Sequence, residues 1–323
     1  MKRKLCSIAF AVILLYQLPL PGWAAELLIP VGKVIGLQLS DDTLTVAAFD
    51  DILGGAAKDA GLKIGDEILK IDDKAVSCPE DVRTALNLCS GETLKVSVRR
   101  DGKTRTLQLQ PQLKDDQPRL GVYLRQGIAG IGTVTWYDPE TGKFGTLGHG
   151  VSDGKGNLLK MSRGYAYEAE VIDVRRGKCG DPGQLKGDAD TTFVFGTLLR
   201  NTPQGVFGTT KVGWRGEPLP VGEFSDVRTG PATIRSTIAG RTTQEYSVEI
   251  LKIYPKDRSD GRNFLIKVTD PDLLAATGGI VQGMSGSPII QDGKLVGAVT
   301  HVLVNDPTMG YGIFIENMLE AAG

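Results

Sequence analysis

Gln282-Gly283-Met284-Ser285-Gly286-Ser287-Pro288-Ile289-Ile290 places a serine between glycines, just ahead of a proline and an apolar run. The glycine two residues before Ser285 lets the backbone turn tightly. The N–H groups of Gly283 and Ser285 can then converge on one point beside the hydroxyl, which is what a developing oxyanion needs. The run from Pro288 onward reads as a strand. A plain glycine-serine turn has the same composition, so this reading depends on whether the chain also supplies a base.

The chain has two histidines. His149 lies in Gly145-Thr146-Leu147-Gly148-His149-Gly150, at a strand end between glycines, where an imidazole can face a cleft. His301 lies in Ala298-Val299-Thr300-His301-Val302, inside an apolar strand, where a histidine is packed or turned outward. His149 is therefore the candidate base. A third group should be a carboxylate that orients the imidazole. Asp153, Asp173, Asp270, Asp272, Asp292 and Asp306 all remain open. Asp270 stands out because it ends the strand Phe264-Leu265-Ile266-Lys267-Val268 and precedes Pro271, near the serine loop. Helix capping is the simpler explanation for Asp272.

A length of 323 residues suggests two domains. The 42 glycines and few aromatics favour strands joined by tight turns. The net charge of −1, with both signs mixed, offers no nucleic-acid surface. Lys2, Arg3 and Lys4 precede the apolar run from Leu5 to Leu18, and Gly22-Trp23-Ala24 ends in small residues. Residues 1–25 thus read as an export signal, or alternatively as a retained anchor. Of the four cysteines, Cys6 lies in that segment. Cys78 and Cys89 flank a helix and are too far apart for a bridge within it, and Cys179 is isolated. No Cys/His cluster has metal-ligand spacing, and the reading includes no metal and no cofactor.

Residues 27–113 read as one small α+β domain. Leu44–Phe49 is a strand, residues 54–62 form a short helix ending in glycine, and residues 64–72 turn into a second strand. Ser77 and Glu80 fit a capping box for a helix running to about Cys89. Leu94–Val98 and Thr104–Leu109 form a hairpin across Asp101-Gly102. The phrase Ala60-Gly61-Leu62-Lys63-Ile64-Gly65-Asp66-Glu67-Ile68-Leu69 resembles the signature of a bacterial-type PDZ domain. On that resemblance Val34, Ile35, Gly36 and Leu37 form the loop that binds a peptide carboxylate, and the next strand offers an edge for the peptide.

Residues 114–118 read as a polar linker. From 119 to 323 the chain is mainly β. Residues 133–137 and 143–147 form a hairpin, later strands lie at 246–253, 263–268 and 295–304, and short helices fall near 271–276 and 316–321. This pattern fits one or two closed antiparallel barrels.

The serine loop, the His149 loop, Ala129-Gly130-Ile131-Gly132-Thr133, Lys267-Val268-Thr269-Asp270-Pro271 and the tail from Gly297 to Thr308 together resemble the stage IV sporulation protein B peptidase family of endospore-forming bacteria. The order of export segment, PDZ domain and peptidase domain also matches. The resemblance implies a mainly β protein in which a PDZ domain precedes a chymotrypsin-like barrel serine peptidase. His149, Asp270 and Ser285 match the family's triad, with Gly283 and Ser285 as oxyanion donors. It further implies export from the forespore into the space between two membranes and self-cleavage. Its partner would be a membrane-protein inhibitor, cut in its extracytoplasmic part to release a late mother-cell sigma factor. One departure is that Asp270 precedes Ser285 by only 15 residues, whereas the wider clan places its acid much further upstream. The rival expectations are an inactive PDZ and peptidase-like scaffold, or a general envelope protease. The domain order argues against the latter.

Overall fold

Strands β1 (Leu27–Pro30) and β2 (Val34–Ser40) begin the chain in the first of two barrels. The computed structural model describes residues 26–89, 92–154, 156–258 and 260–323, so the export segment read at 1–25 lies outside them. β2 carries the near-continuous apolar run Val34-Ile35-Gly36-Leu37, as expected of a strand covered on both faces. One edge pairs with residues 128–133 and the other with residues 163–168. The peptide-binding assignment for Val34, Ile35, Gly36 and Leu37 is corrected accordingly: both edges of β2 are already hydrogen-bonded, and no peptide can add there.

The chain then leaves the barrel to form the PDZ domain as an insertion. Its elements are β3 (Leu44–Phe49), α1 (Gly54–Asp59), β4 (Glu67–Ile71), β5 (Lys74–Ala75), α2 (Pro79–Asn87), β6 (Leu94–Arg100), β7 (Lys103–Leu109), β8 (Gln112–Lys114), β9 (Gln117–Arg119) and β10 (Val122–Arg125). The main sheet runs β10-β3-β4-β6-β7. Its own apolar core includes Leu44, Val46, Ile68, Val82, Leu86 and Val98. The Asp101-Gly102 turn has positive φ at both residues, 50° and 73°, which matches the twist of the flanking strands. The α2 cap differs from the sequence reading. Cys78 is the capping position, and Asp81 rather than Glu80 accepts from the Ser77 and Cys78 amides. The expected linker is instead the β8–β9 hairpin, and the PDZ sheet continues to Arg125.

The first barrel resumes with β11 (Ile128–Tyr137), β12 (Lys143–Thr146), β13 (Arg163–Arg175), β14 (Gln184–Thr202) and β15 (Gly205–Thr210), with β16 (Leu219–Pro220) beside β1. The cycle β2-β11-β12-β15-β14-β13 closes through the β11–β12 pairing. The second barrel contains β17 (Gly230–Ala239), β18 (Thr242–Ile253), β19 (Phe264–Val268), β20 (Pro288–Gln291), β21 (Lys294–Leu303) and β22 (Asp306–Phe314), closed in the order β17-β18-β19-β22-β21-β20. Helices α3 (Pro271–Thr277) and α4 (Ile315–Ala322) complete it. The barrels share one core, in which Val34, Ala169 and Leu185 of the first pack with Ile234, Ile266 and Phe314 of the second. Burial of this apolar seam fixes how the two barrels face each other. Among the described residues no helix is long and apolar enough to cross a membrane.

Candidate active site

The serine loop sits on the seam between the barrels. Thr133 of β11 binds it twice: its Oγ1 donates to the Gly283 carbonyl at 2.8 Å and its N–H to the Ser285 carbonyl at 3.0 Å. Thr135 Oγ1 donates to the Gly286 carbonyl at 2.8 Å, and the Gly286 N–H reaches Val299 of β21 at 2.7 Å. Gly286 has φ +96°, and a Cβ there would lie 2.0 Å from the Thr133 carbonyl oxygen. Only glycine satisfies both the dihedral and the close approach. Met284 is fully buried as the loop's apolar anchor. The Gly283 and Ser285 amides donate to no backbone group among the described residues. They are therefore free to serve an incoming oxyanion.

His149 follows β12 through two left-handed residues, Leu147 at φ 69° and Gly148 at φ 67°. A non-glycine residue in that region is strained by roughly 1 kcal/mol, and such strain collects at functional sites. The Leu147 N–H donates to the Thr133 carbonyl at 3.3 Å, so the same threonine positions both loops. His149 Nδ1 lies 3.0 Å from the Gly150 carbonyl oxygen. A carbonyl only accepts, so Nδ1 carries the proton and Nε2 keeps the lone pair that a base needs. Burial pulls the His149 pKa below its usual value, partly offset by the Gly150 hydrogen bond, and the ring stays neutral at neutral pH.

His149 and Ser285 line one cavity of about 630 Å³. Ser285 Oγ donates to the Thr300 carbonyl at 2.7 Å. His301 lines the same cavity, its ring centroid 5.2 Å from that of His149 at an interplanar angle of 38°. Its Nδ1 is buried without a hydrogen-bond partner. Burial, the neighbouring His149 and Arg262 push its pKa down to about 4, with Asp260 opposing. Sequence reasoning set His301 aside as a packed strand residue. No sequence signal marks it, because the cavity is built from residues of both barrels.

Asp270 is not brought to His149. Its Oδ1 accepts the Asp272 and Leu273 amides, each at 3.0 Å, capping α3, and its Oδ2 accepts the Ser247 amide at 3.2 Å. The other carboxylates considered are also placed elsewhere: Asp173 pairs with Lys186, Asp292 with Arg228, Asp306 binds Thr308, and Asp153 accepts from Asn157. Asp272 sits in the first turn of α3. The group seen orienting His149 is the Gly150 carbonyl. Among the described residues, no group of three or more His, Cys, Asp or Glu is placed to hold a metal ion.

A second groove, of about 440 Å³, lies between α2 and β10 in the inserted domain. Val82 and Leu86 line one side, and Leu120-Gly121-Val122-Tyr123-Leu124 the other. β10 ends its sheet, so one edge is open. Gly121 has φ +72°, and a Cβ there would meet the Leu53 carbonyl oxygen at 2.2 Å. Leu120-Gly121-Val122 leads into β10 at this groove with the same apolar-Gly-apolar pattern as residues 34–37. The pattern stands at the start of the last strand of that sheet, not ahead of its first.

The family described as SpoIVB peptidase S55 matches residues 116–319, more than half of the chain, and the PDZ domain family matches residues 33–110. A protein named as a zinc metalloprotease from Rhizobium meliloti is 30% identical over 112 residues, covering 35% of this chain and 28% of that protein. Another from Agrobacterium fabrum is 35% identical over 89 residues, covering 28% of this chain and 22% of that protein. The chain thus spans less than a third of the length of these relatives. Among solved structures, the active form of the Rv3671c protease from M. tuberculosis shares 16% identity with a TM-score of 0.36, covering 62% of this chain and 75% of that one.

Proposed function

The chain belongs to the SpoIVB peptidase S55 family, and from that premise we propose that it is an exported serine endopeptidase of sporulation signalling. In this reading it processes its own chain. It also cuts the extracytoplasmic part of a membrane-bound inhibitor in the space between forespore and mother-cell membranes. The sporulation role and the partner rest on family membership. The chemistry rests on one observation: Ser285 and His149 share a cavity, with the imidazole fixed by Gly150 so that Nε2 is free.

Rotation about χ1 releases Ser285 Oγ from the Thr300 carbonyl. The oxygen attacks the scissile carbonyl carbon while His149 Nε2 takes its proton. The Gly283 and Ser285 amides hold the oxyanion. Collapse breaks the C–N bond, and the proton passes from Nε2 to the leaving amine. Water, deprotonated by the same Nε2, then releases the acyl group and regenerates the serine. The groove between α2 and β10 is the place for a peptide to add as a further strand.

A fluorophosphonate probe tests this reading. Labelling of the full chain is expected, and is expected to be lost in Ser285→Ala and in His149→Ala. Undiminished proteolysis by purified Ser285→Ala would overturn it. The second reading, a peptidase-shaped scaffold without activity, draws on the Ser285 hydroxyl bound to Thr300 and on the absence of a carboxylate from the cavity among the described residues. It is favoured if no labelling occurs under any condition.

A further inference from the structure

The cavity holding Ser285 and His149 is lined by no charged side chain among the described residues. Near the nucleophile its walls come from residues 280–283 before the serine and residues 300–304 of β21 and the turn after it. Ile280, Val281, Pro182, Val302 and Val304 supply apolar surface. The polar side chains present are Ser152, Gln282, Thr300, Ser285 and the two histidines. His301 is neutral at neutral pH, so it offers no counter-ion to an acidic side chain. Arg262 and Asp260 act on His301 from outside the lining, and further charges lie in adjoining grooves. Lys186 shares a neighbouring groove and is paired at 2.6 Å with Asp173, while Arg125 lines the space toward the inserted domain.

Two features define how a peptide would lie. β21 pairs with β20 only through residues 294–298, so among the described residues it has β22 on one edge from Thr300 to Leu303 and no strand on the other. An extended peptide can pair along that free edge, which places one side chain against Ile280, Val281 and Val302. The depth available to it is limited. A Cβ added at Gly310 of β22 would lie 2.5 Å from Ile280 Cδ1, so the Ile280 side chain already fills the space over Gly310.

We infer that this site takes an uncharged, apolar side chain of alanine-to-leucine size on the acyl side of the scissile bond, and rejects Lys, Arg, Asp and Glu there. The inference rests on the peptidase reading above. A charged side chain would lose its hydration in an apolar cavity with no partner, whereas an aliphatic one gains from burial. Side chains further from the bond meet Lys186 and Arg125 and are not bound by this rule.

The test uses the full chain and internally quenched peptides that differ only at that position. The expected kcat/KM for Ala, Val or Leu exceeds that for Lys, Arg, Asp or Glu by roughly 100-fold or more. Ile280→Ala is expected to raise kcat/KM for Phe about tenfold relative to Val, by opening the space over Gly310. An enzyme that is labelled by fluorophosphonate yet cleaves after Lys, Arg, Asp or Glu as readily as after Val overturns the inference and leaves the peptidase reading standing. Absence of both labelling and hydrolysis overturns the peptidase reading, and the inference with it.

Discussion

The inserted domain and the serine loop each contain a glycine-rich phrase, but they are held in opposite ways. In the inserted domain the ties stay within the domain, 3 to 39 residues apart. Asp66 accepts the Lys63 amide at 2.9 Å and two Arg100 donors at 2.6 Å each, and Arg100 also reaches the Gly61 carbonyl at 2.7 Å. The serine loop is held by Thr133 and Thr135, about 150 residues earlier in the chain. One phrase is therefore held inside its own domain. The other has a conformation only because a second barrel is already in place beside it. Each predicted substitution below should disturb one of these regions and spare the other.

The largest effect is expected at the seam. Gly286→Ala sets a Cβ 2.0 Å from the Thr133 carbonyl oxygen and 2.5 Å from the Leu147 nitrogen, at a dihedral that L-residues avoid. Both loops must move, and the Gly283 and Ser285 amides move with them. Fluorophosphonate labelling should fall by roughly 100-fold or more, while peptide binding at the α2–β10 groove is unchanged. Wild-type labelling in this variant would show that the seam does not set the site.

The mirror-image change is Asp66→Asn. Asp66 is only 1% exposed and its partner Arg100 is 17% exposed. Removing one charge of such a pair strands the other and costs about 3 kcal/mol. The inserted domain should therefore unfold at lower denaturant, while Ser285 labelling is retained. Acid should do the same to the wild type. Burial works to raise the Asp66 pKa, but the Arg100 hydrogen bonds and the Lys63 amide overcome it and hold the carboxyl below 3.8. A group whose folded value is lowered contributes its stability above the unfolded value, and that contribution is lost as pH falls through the folded one. Asp66→Asn should abolish that acid step. A step of unchanged size would assign it to another group.

These contrasts explain what could be read in the sequence. The Asp101-Gly102 turn is set by its own two residues and the Ala60–Leu69 phrase by ties within its own domain, so both are legible in the letters. The Gly148–Gly150 and Gly283–Gly286 segments are legible as loops from their glycines, whereas their conformations are set by Thr133 and Thr135, outside either loop. The assignment of residues 34–37 did not survive because strand edges are claimed by long-range pairing. Val34-Ile35-Gly36-Leu37 has the same pattern as a carboxylate-binding loop, yet the first barrel takes both its edges. His301 was missed because strand periodicity marks a residue as inside or outside but does not reveal a cavity assembled from two barrels.

The two cavity histidines predict a mid-acid effect. The His301 value of about 4 lies below its ordinary 6.5. Its stabilising contribution is therefore complete above about 6.5 and lost as pH falls toward 4, on the order of 3 kcal/mol. His301→Gln should flatten this limb of the stability profile in urea titrations, and a limb of unchanged size would assign it elsewhere. For His149, burial favours the neutral base, so labelling should remain at its plateau below pH 6.5. A midpoint above 6.5 would mean that a carboxylate supports the imidazolium during turnover.

The smallest effect is expected at Asp270, where the comparison is sharpest. Asp270 resembles the family's acid by its sequence neighbours, yet its two oxygens accept three backbone N–H groups, two at the start of α3 and one from Ser247 of β18. If capping is its work, Asp270→Ala removes it and costs about 1 kcal/mol. Asp270→Ser restores an oxygen that can accept the Asp272 or Leu273 amide and should recover most of that loss. Neither change should reduce fluorophosphonate labelling by more than a few-fold, because His149 is oriented by the Gly150 carbonyl. The serine variant separates the two roles: it keeps a cap but removes the negative charge. A folded Asp270→Ser protein that no longer labels would mean that the carboxylate leaves the helix end and reaches His149 when the site acts. The site would then be assembled by motion of α3 rather than by the barrels alone.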